Sequence, residues 1–333
     1  MSSAPTADEI WSDARWLAQA VDPRAGLLRL VEMSPRDYRD ASFLDDRMFE
    51  EQRGSHLLKW DAVAETLPAK ARRDARWIFH IGHVGSTLIA RLLGELEGVL
   101  AIREPRALRD LTFFPPDLRA RFVPTLQALM SRTFAAEQVA LVKATSFVSE
   151  IAPELVPASG QALLLYATPR NYVAGILAGE NSCKELAGMA DMRRQRLSSR
   201  GIALQEPGNE AEAAAVAWAC EMTALEAAAT GNVLWADFDR VLGDLEPSLR
   251  RMADFFGFTA LDERLQGIAR GPLTRRYSKA TEHEYSPQLR HDLLADAVDR
   301  NRTDIESALA MLDAASETAP LLRKALDRAQ AES

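Results

Sequence analysis

Cysteine is scarce in this chain. Its 333 residues include 2, Cys183 and Cys220, which lie far apart and in no Cys-x-x-Cys pattern. That spacing excludes a disulfide framework and a thiolate zinc site, so a reduced, cytoplasmic chain is the expectation. Long hydrophobic runs are missing as well. None approaches the roughly 20 apolar residues that a membrane-spanning helix needs. Asp8 and Glu9 stand where a secretory signal requires positive charge. The chain also lacks a basic excess, since 40 Lys and Arg against 48 Asp and Glu give a net charge of −8. This argues against nonspecific binding to nucleic acid or anionic membrane, and it makes local basic clusters conspicuous.

What the chain does have is core-forming capacity. At 47% apolar residues, one large α/β domain with an extra segment is expected. Residues 1–70 read as an N-terminal helical extension, with Ile10, Trp11, Trp16, Leu17 and Val21 along one stripe and Leu27, Leu28, Leu30 and Val31 ahead of Pro35. Residues 71–333 read as the main domain.

That domain is organised around the stretch from Arg76 to Leu93. Trp77, Ile78, Phe79 and Ile81 form a short β-prone run suited to a buried parallel strand, and Leu88, Leu92, Leu93 and Leu96 repeat at helical spacing. Between them lies Gly82-His83-Val84-Gly85-Ser86-Thr87. Such a strand-loop-helix turn aims backbone N–H groups at one point, and the helix N-terminus adds roughly half a positive charge there. An anion such as phosphate is the expected guest. The loop is not a Walker A motif, because Ser86 stands where the motif needs lysine and the glycines are too close. An ordinary turn capped by Ser86 is the alternative.

Four more apolar runs end in polar residues. Val99–Ile102 delivers Arg103-Glu104-Pro105-Arg106, and Val139–Val142 delivers Lys143-Ala144-Thr145-Ser146. Ala162–Tyr166 delivers Thr168-Pro169-Arg170, and Val233–Ala236 delivers Asp237-Phe238-Asp239. Ligands of parallel sheets bind beyond the carboxyl ends of the strands, so Glu104, Lys143 and Arg170 are placed toward one cleft with the glycine loop. Each has a plainer reading. Glu104 suits the start of a helix before Pro105, Lys143 suits a snorkelling surface lysine, and Asp237 suits a strand-end acid with or without magnesium. Amphipathic helices are expected at 117–134, 209–229, Leu245 to Phe256 before Gly257, and 287–331. Residues 184–203 carry five basic side chains on a helical or mobile segment, and Arg264, Arg270, Arg275, Arg276 and Lys279 form the densest basic loop.

On these residues the chain resembles the sulfotransferase superfamily. The resemblance covers about residues 75–285 and rests on His83, Gly85, Ser86 and Thr87 in the first loop, and on Val233–Phe258 as the late strand and helix. It rests further on Glu104 and on Ser278-Lys279, which match the tyrosylprotein sulfotransferase branch. It implies a P-loop NTPase-like α/β fold, a three-layer sandwich around a central parallel sheet of about five strands, and PAPS (3′-phosphoadenosine 5′-phosphosulfate) as sulfuryl donor. It implies Glu104 as base, with His83 and Lys143 as catalytic partners, and no metal. The donor would be held by Gly82, His83, Val84, Gly85, Ser86, Thr87, Arg170, Ser278 and Lys279, and the acceptor would be a hydroxyl or amine on a small molecule or peptide. A homodimer is a further expectation. The chain departs from the family at three places. His83 replaces a lysine or arginine, Ala167 and Gly175 stand where the family holds the 3′-phosphate with arginine and serine, and Thr145 replaces the cytosolic branch's histidine. A metal-dependent phosphotransferase with Asp237 near magnesium, or a noncatalytic nucleotide binder, are the alternatives.

Overall fold

The structure, a computed structural model, describes residues 3–47, 54–275 and 286–331. Its N-terminal part corrects the expected helical extension. Apart from short helices, it is a three-stranded antiparallel sheet of β1 (Trp16–Asp22), β2 (Leu27–Glu32) and β3 (Ser55–Lys59), in that order. The physical reason is local. Asp22 Oδ1 accepts from the amides of Arg24 (2.9 Å) and Ala25 (3.0 Å), and Gly26 at φ +60° completes a reversal that cuts the supposed helical stripe in two. Leu28 and Leu30 then point to one buried face, between less buried Leu27 and Arg29, which is the period of a strand.

The main domain carries a five-stranded parallel sheet. Its strands are β4 (Arg76–His80), β5 (Val99–Arg103), β6 (Val139–Lys143), β7 (Gln161–Tyr166) and β8 (Asn232–Asp237), in the order β5-β6-β4-β7-β8. All five fall on the apolar runs of the sequence. Helices flank the sheet, which accounts for strands buried on both faces. The Ser86–Leu93 helix packs on β5 and β6, and Leu245–Phe256 touches that helix and β7. The Glu210–Ala228 helix packs on β4 and against Pro169–Leu177, Arg302–Ser316 and Pro320–Ala331. The terminal region is three helices, the first being Pro287–Arg300. Residues 184–203 fall on two, Glu180–Gly188 and Ala190–Ser199. Leu245–Phe256 stops where expected, with Gly257 at φ +71°. Among the described residues no helix is long and apolar enough to cross a membrane.

Two buried arginines tie the N-terminal segment to the main domain through backbone carbonyls. Arg132 donates to the carbonyls of Ile10, Trp16 and Leu129, and Arg103 to those of Tyr38, Arg39 and Ala41. Burial brings Arg103 down to about 9 and Arg132 to about 10.

Candidate functional site

The glycine loop leaves the carboxyl end of β4 beside the point where the chain's connections reverse direction, since the path runs from β4 out to β5 and returns across β4 from β6 to β7. Gly85 caps the Ser86–Leu93 helix at φ +58° with no side-chain cap, which sets aside the turn capped by Ser86. A Cβ at Gly85 would lie 1.9 Å from Phe238 Cζ. Glycine is therefore required twice, for its backbone angle and for the ring against it. His83 is also left-handed, at φ +59°. Its Nε2 lies 3.9 Å from Glu185 Oε2 and its ring is edge-on to Tyr172. Val84, Ser86 and Thr87 are buried, and Thr87 Oγ1 has no partner.

The first amide of the loop is already engaged. Gly82 N–H donates to Glu221 Oε2 at 2.5 Å, and Glu221 Oε1 lies 3.4 Å from Arg193 Nη2. Glu221 is 4% exposed. Burial pushes its carboxyl above the ordinary value, against the pull of Arg193 and the Gly82 amide. An anion in this loop thus has the amides from Gly85 onward to itself and shares Gly82 with a carboxylate.

Glu104 and Lys143 end neighbouring strands and form a close ion pair, at 6% and 1% exposure. Lys143 is therefore not a snorkelling surface side chain. Nor does Glu104 sit in a helix: it precedes Pro105, the N-cap of Arg106–Leu111. Its backbone is left-handed at φ +53°, and its N–H donates to Lys143 O at 2.7 Å. The second oxygen, Oε2, accepts from Arg47 Nη2 at 3.1 Å, and Arg47 is in turn clamped by Asp45. His80, the last residue of β4, closes the group. Its Nδ1 meets Ile81 O at 2.7 Å and its Nε2 meets Ala144 O at 2.9 Å, and burial with the nearby Lys143 charge pushes it down to about 3.

Arg170 is on the other half of the sheet, where with Asp237 it lines a cavity beyond the ends of β7 and β8. Ser278 and Lys279 lie outside the described residues. Among the described residues no group of three or more His, Cys, Asp or Glu could hold a metal ion. Asp237 uses Oδ1 to cap the amide of Arg240 at 3.0 Å.

Sequence reasoning missed Arg47, His80 and Glu221, and read Arg193 only as one of the five basic side chains of residues 184–203. Only Glu221 left a trace, as a carboxylate among apolar neighbours in the Ala-Cys-Glu-Met run of an alanine-rich helix. Arg47 lay in the segment misread as helical.

No family profile and no curated protein matches the chain. Solved structures similar to it include the sulfotransferase domain from the curacin biosynthetic pathway, at 12% identity and TM-score 0.39 over 72% of this chain and 98% of that one. A mouse sulfotransferase complexed with PAP shows 11% identity and TM-score 0.42 over 77% and 89%. The sulfotransferase domain of the Synechococcus PCC 7002 olefin synthase shows 15% identity and TM-score 0.37 over 71% and 90%. These likenesses assign no residue a role.

Proposed function

We propose that the chain is a sulfotransferase-like enzyme that moves a sulfuryl group from a PAPS-type nucleotide donor to the hydroxyl or amine of a small-molecule or peptide acceptor. One observation carries the reading. A buried Glu104–Lys143 pair stands at the carboxyl ends of β5 and β6, next to β4, the strand that delivers the glycine loop. The loop itself fits a phosphate: Gly85 adopts an angle open to glycine, the helix behind it lends its dipole, and Thr87 Oγ1 is a buried hydroxyl in want of a partner.

The donor supplies an electrophilic sulfur on a phosphate leaving group. Glu104 takes the acceptor proton as the acceptor's oxygen or nitrogen bonds to sulfur. Lys143 stabilises negative charge on the transferring group and on the oxygen released as the sulfur–oxygen bond to phosphate breaks. The amides from Gly85 to Thr87 hold that phosphate, and His83 adds a donor that is strong only when protonated. Arg47 orients the second oxygen of Glu104 from the N-terminal segment. The acceptor approaches from that side, because Arg47 is half-exposed while Lys143 is buried.

The test combines binding with turnover. Isothermal titration of the full chain with PAP should show micromolar binding without magnesium. An NTP that binds well while PAP does not would defeat the reading in favour of a phosphotransferase.

A further inference from the structure

A buried carboxylate stands at the start of a loop that suits an anion. Glu221, in the Glu210–Ala228 helix, is 4% exposed, and its Oε2 accepts from the Gly82 N–H at 2.5 Å. A Cβ at Gly82 would lie 3.4 Å from that oxygen, in ordinary contact, so the approach of Glu221 does not depend on the glycine. The chain turns directly after this bond, with His83 at φ +59° and Gly85 at φ +58°. Glu221 thereby anchors the peptide from which the turn departs. Thr87 Oγ1 is an independent sign that the turn takes a ligand, since the residue is 1% exposed and this oxygen has no hydrogen-bond partner among the described residues.

The charge on Glu221 is only partly answered. Arg193 Nη2 lies 3.4 Å from Oε1, beyond the usual hydrogen-bond length, and Arg193 Nε is buried without a hydrogen-bond partner. Burial pushes the Glu221 carboxyl above its ordinary value, against Arg193 and the Gly82 amide. Tyr172 from Pro169–Leu177, Glu185 from Glu180–Gly188 and Cys220 from its own helix also act on it. Burial raises Tyr172 and Cys220, the latter to about 11, so both stay neutral, while Glu185 adds negative charge. Glu150, Arg196 and Arg200 act on Cys220, and the last two helices meet Glu212 and Glu226 of the same helix instead.

No more than about 10 Å of chain separates Gly82 from Gly85. An anion on the amides of Gly85 to Thr87 therefore brings a second negative charge close to a buried carboxylate. In a low-dielectric interior, like charges at such range favour protonation of one of them.

We propose that Glu221 is a proton-coupled positioning residue: held between the Gly82 amide and Arg193, it fixes the start of the glycine loop and takes up a proton from solvent when an anion settles on the amides that follow. The role rests on the reading of the loop as the donor's anion site. It adds to that reading a link between pH and occupancy of the loop.

Inorganic sulfate is the probe, because its charge does not change across the range and it carries no nucleoside. The full chain is titrated calorimetrically at about pH 6 and about pH 8, in buffers of different ionisation heat. About half a proton or more should be taken up per sulfate, with affinity several-fold tighter at the lower pH. His83 titrates in the same range, so the measurement is repeated in His83→Gln, where the uptake should persist. Glu221→Gln keeps an acceptor for the Gly82 amide. Added to His83→Gln, it should abolish the uptake and leave sulfate affinity independent of pH. Arg193→Gln removes the cation that opposes protonation and should move the uptake to higher pH; an unmoved profile decides against Glu221 even where Glu221→Gln does not fold. Sulfate bound by His83→Gln without proton uptake, or uptake undiminished by Glu221→Gln, overturns the role of Glu221 alone. A wild-type chain that binds no sulfate removes the anion site itself, and this role with it.

Discussion

The two halves of the large sheet end in opposite conditions. At the ends of β5 and β6 the carboxylates are paired: Glu104 holds Lys143 and Arg47, and Asp45 holds Arg47. At the ends of β7 and β8 the buried Oδ2 of Asp237, a residue lining a cavity, lacks a hydrogen-bond partner among the described residues. The first arrangement is held by its own ion pairs, as the proposed role in positioning reacting groups demands. The second leaves a buried acceptor unsatisfied, which is unfavourable. The loop at β4 stands between them and shares features of both, with Gly82 engaged by Glu221 and Thr87 unpartnered.

The sharpest way to test that contrast is Glu104→Gln. It keeps shape and burial but cannot take a proton, so turnover on a true acceptor should fall by about 10²–10⁴-fold with PAP affinity within a few-fold of wild type. Undiminished turnover would remove the assigned base and leave the closed half a purely structural pair. Next in size is Lys143→Met, which strands a buried carboxylate. Urea unfolding should show a loss of about 3–5 kcal/mol, largely recovered in the double variant with Glu104→Gln. Independent, additive effects would mean that the two side chains do not act as a unit. Gly85→Ala comes third, with about 1–3 kcal/mol lost to the clash with Phe238 and the left-handed angle. Adding Phe238→Leu should return part of it, and no return would mean that backbone angle alone sets the cost.

The smallest effect is on the open half. A carboxyl raised by burial is protonated more readily in the native state than in the unfolded chain. Its contribution to stability is therefore complete in acid and lost as pH rises through its native value. Asp237→Asn removes that loss. The variant should gain about 1 kcal/mol on wild type at neutral pH and little near pH 4, as followed by urea midpoints across pH. A gain that does not depend on pH would show that Asp237 is not a stranded charge.

These residues also show what a sequence can reveal. The five parallel strands were legible because each is a short apolar run ended by polar residues, and the places of Glu104, Lys143 and Arg170 just at or past strand ends were legible for the same reason. The three antiparallel strands were not, because an apolar stripe broken by the Asp22–Gly26 turn satisfies helical and strand spacing about equally well. Long-range pairing left no mark either. Glu221 meets Gly82 across 139 residues and Arg47 meets Glu104 across 57, and nothing in either local pattern announces its partner.

The carbonyl cradles around Arg103 and Arg132 have a consequence for anyone trimming this chain. Most of their acceptors, at Ile10, Trp16, Tyr38, Arg39 and Ala41, lie upstream of residue 70. A shortened protein starting at residue 71 would keep two guanidinium ions inside and discard the oxygens that make their interment tolerable. The same cut would remove Arg47 from Glu104. The leading segment is thus a foundation of the β5–β6 half, and a truncated chain should be recovered as aggregate.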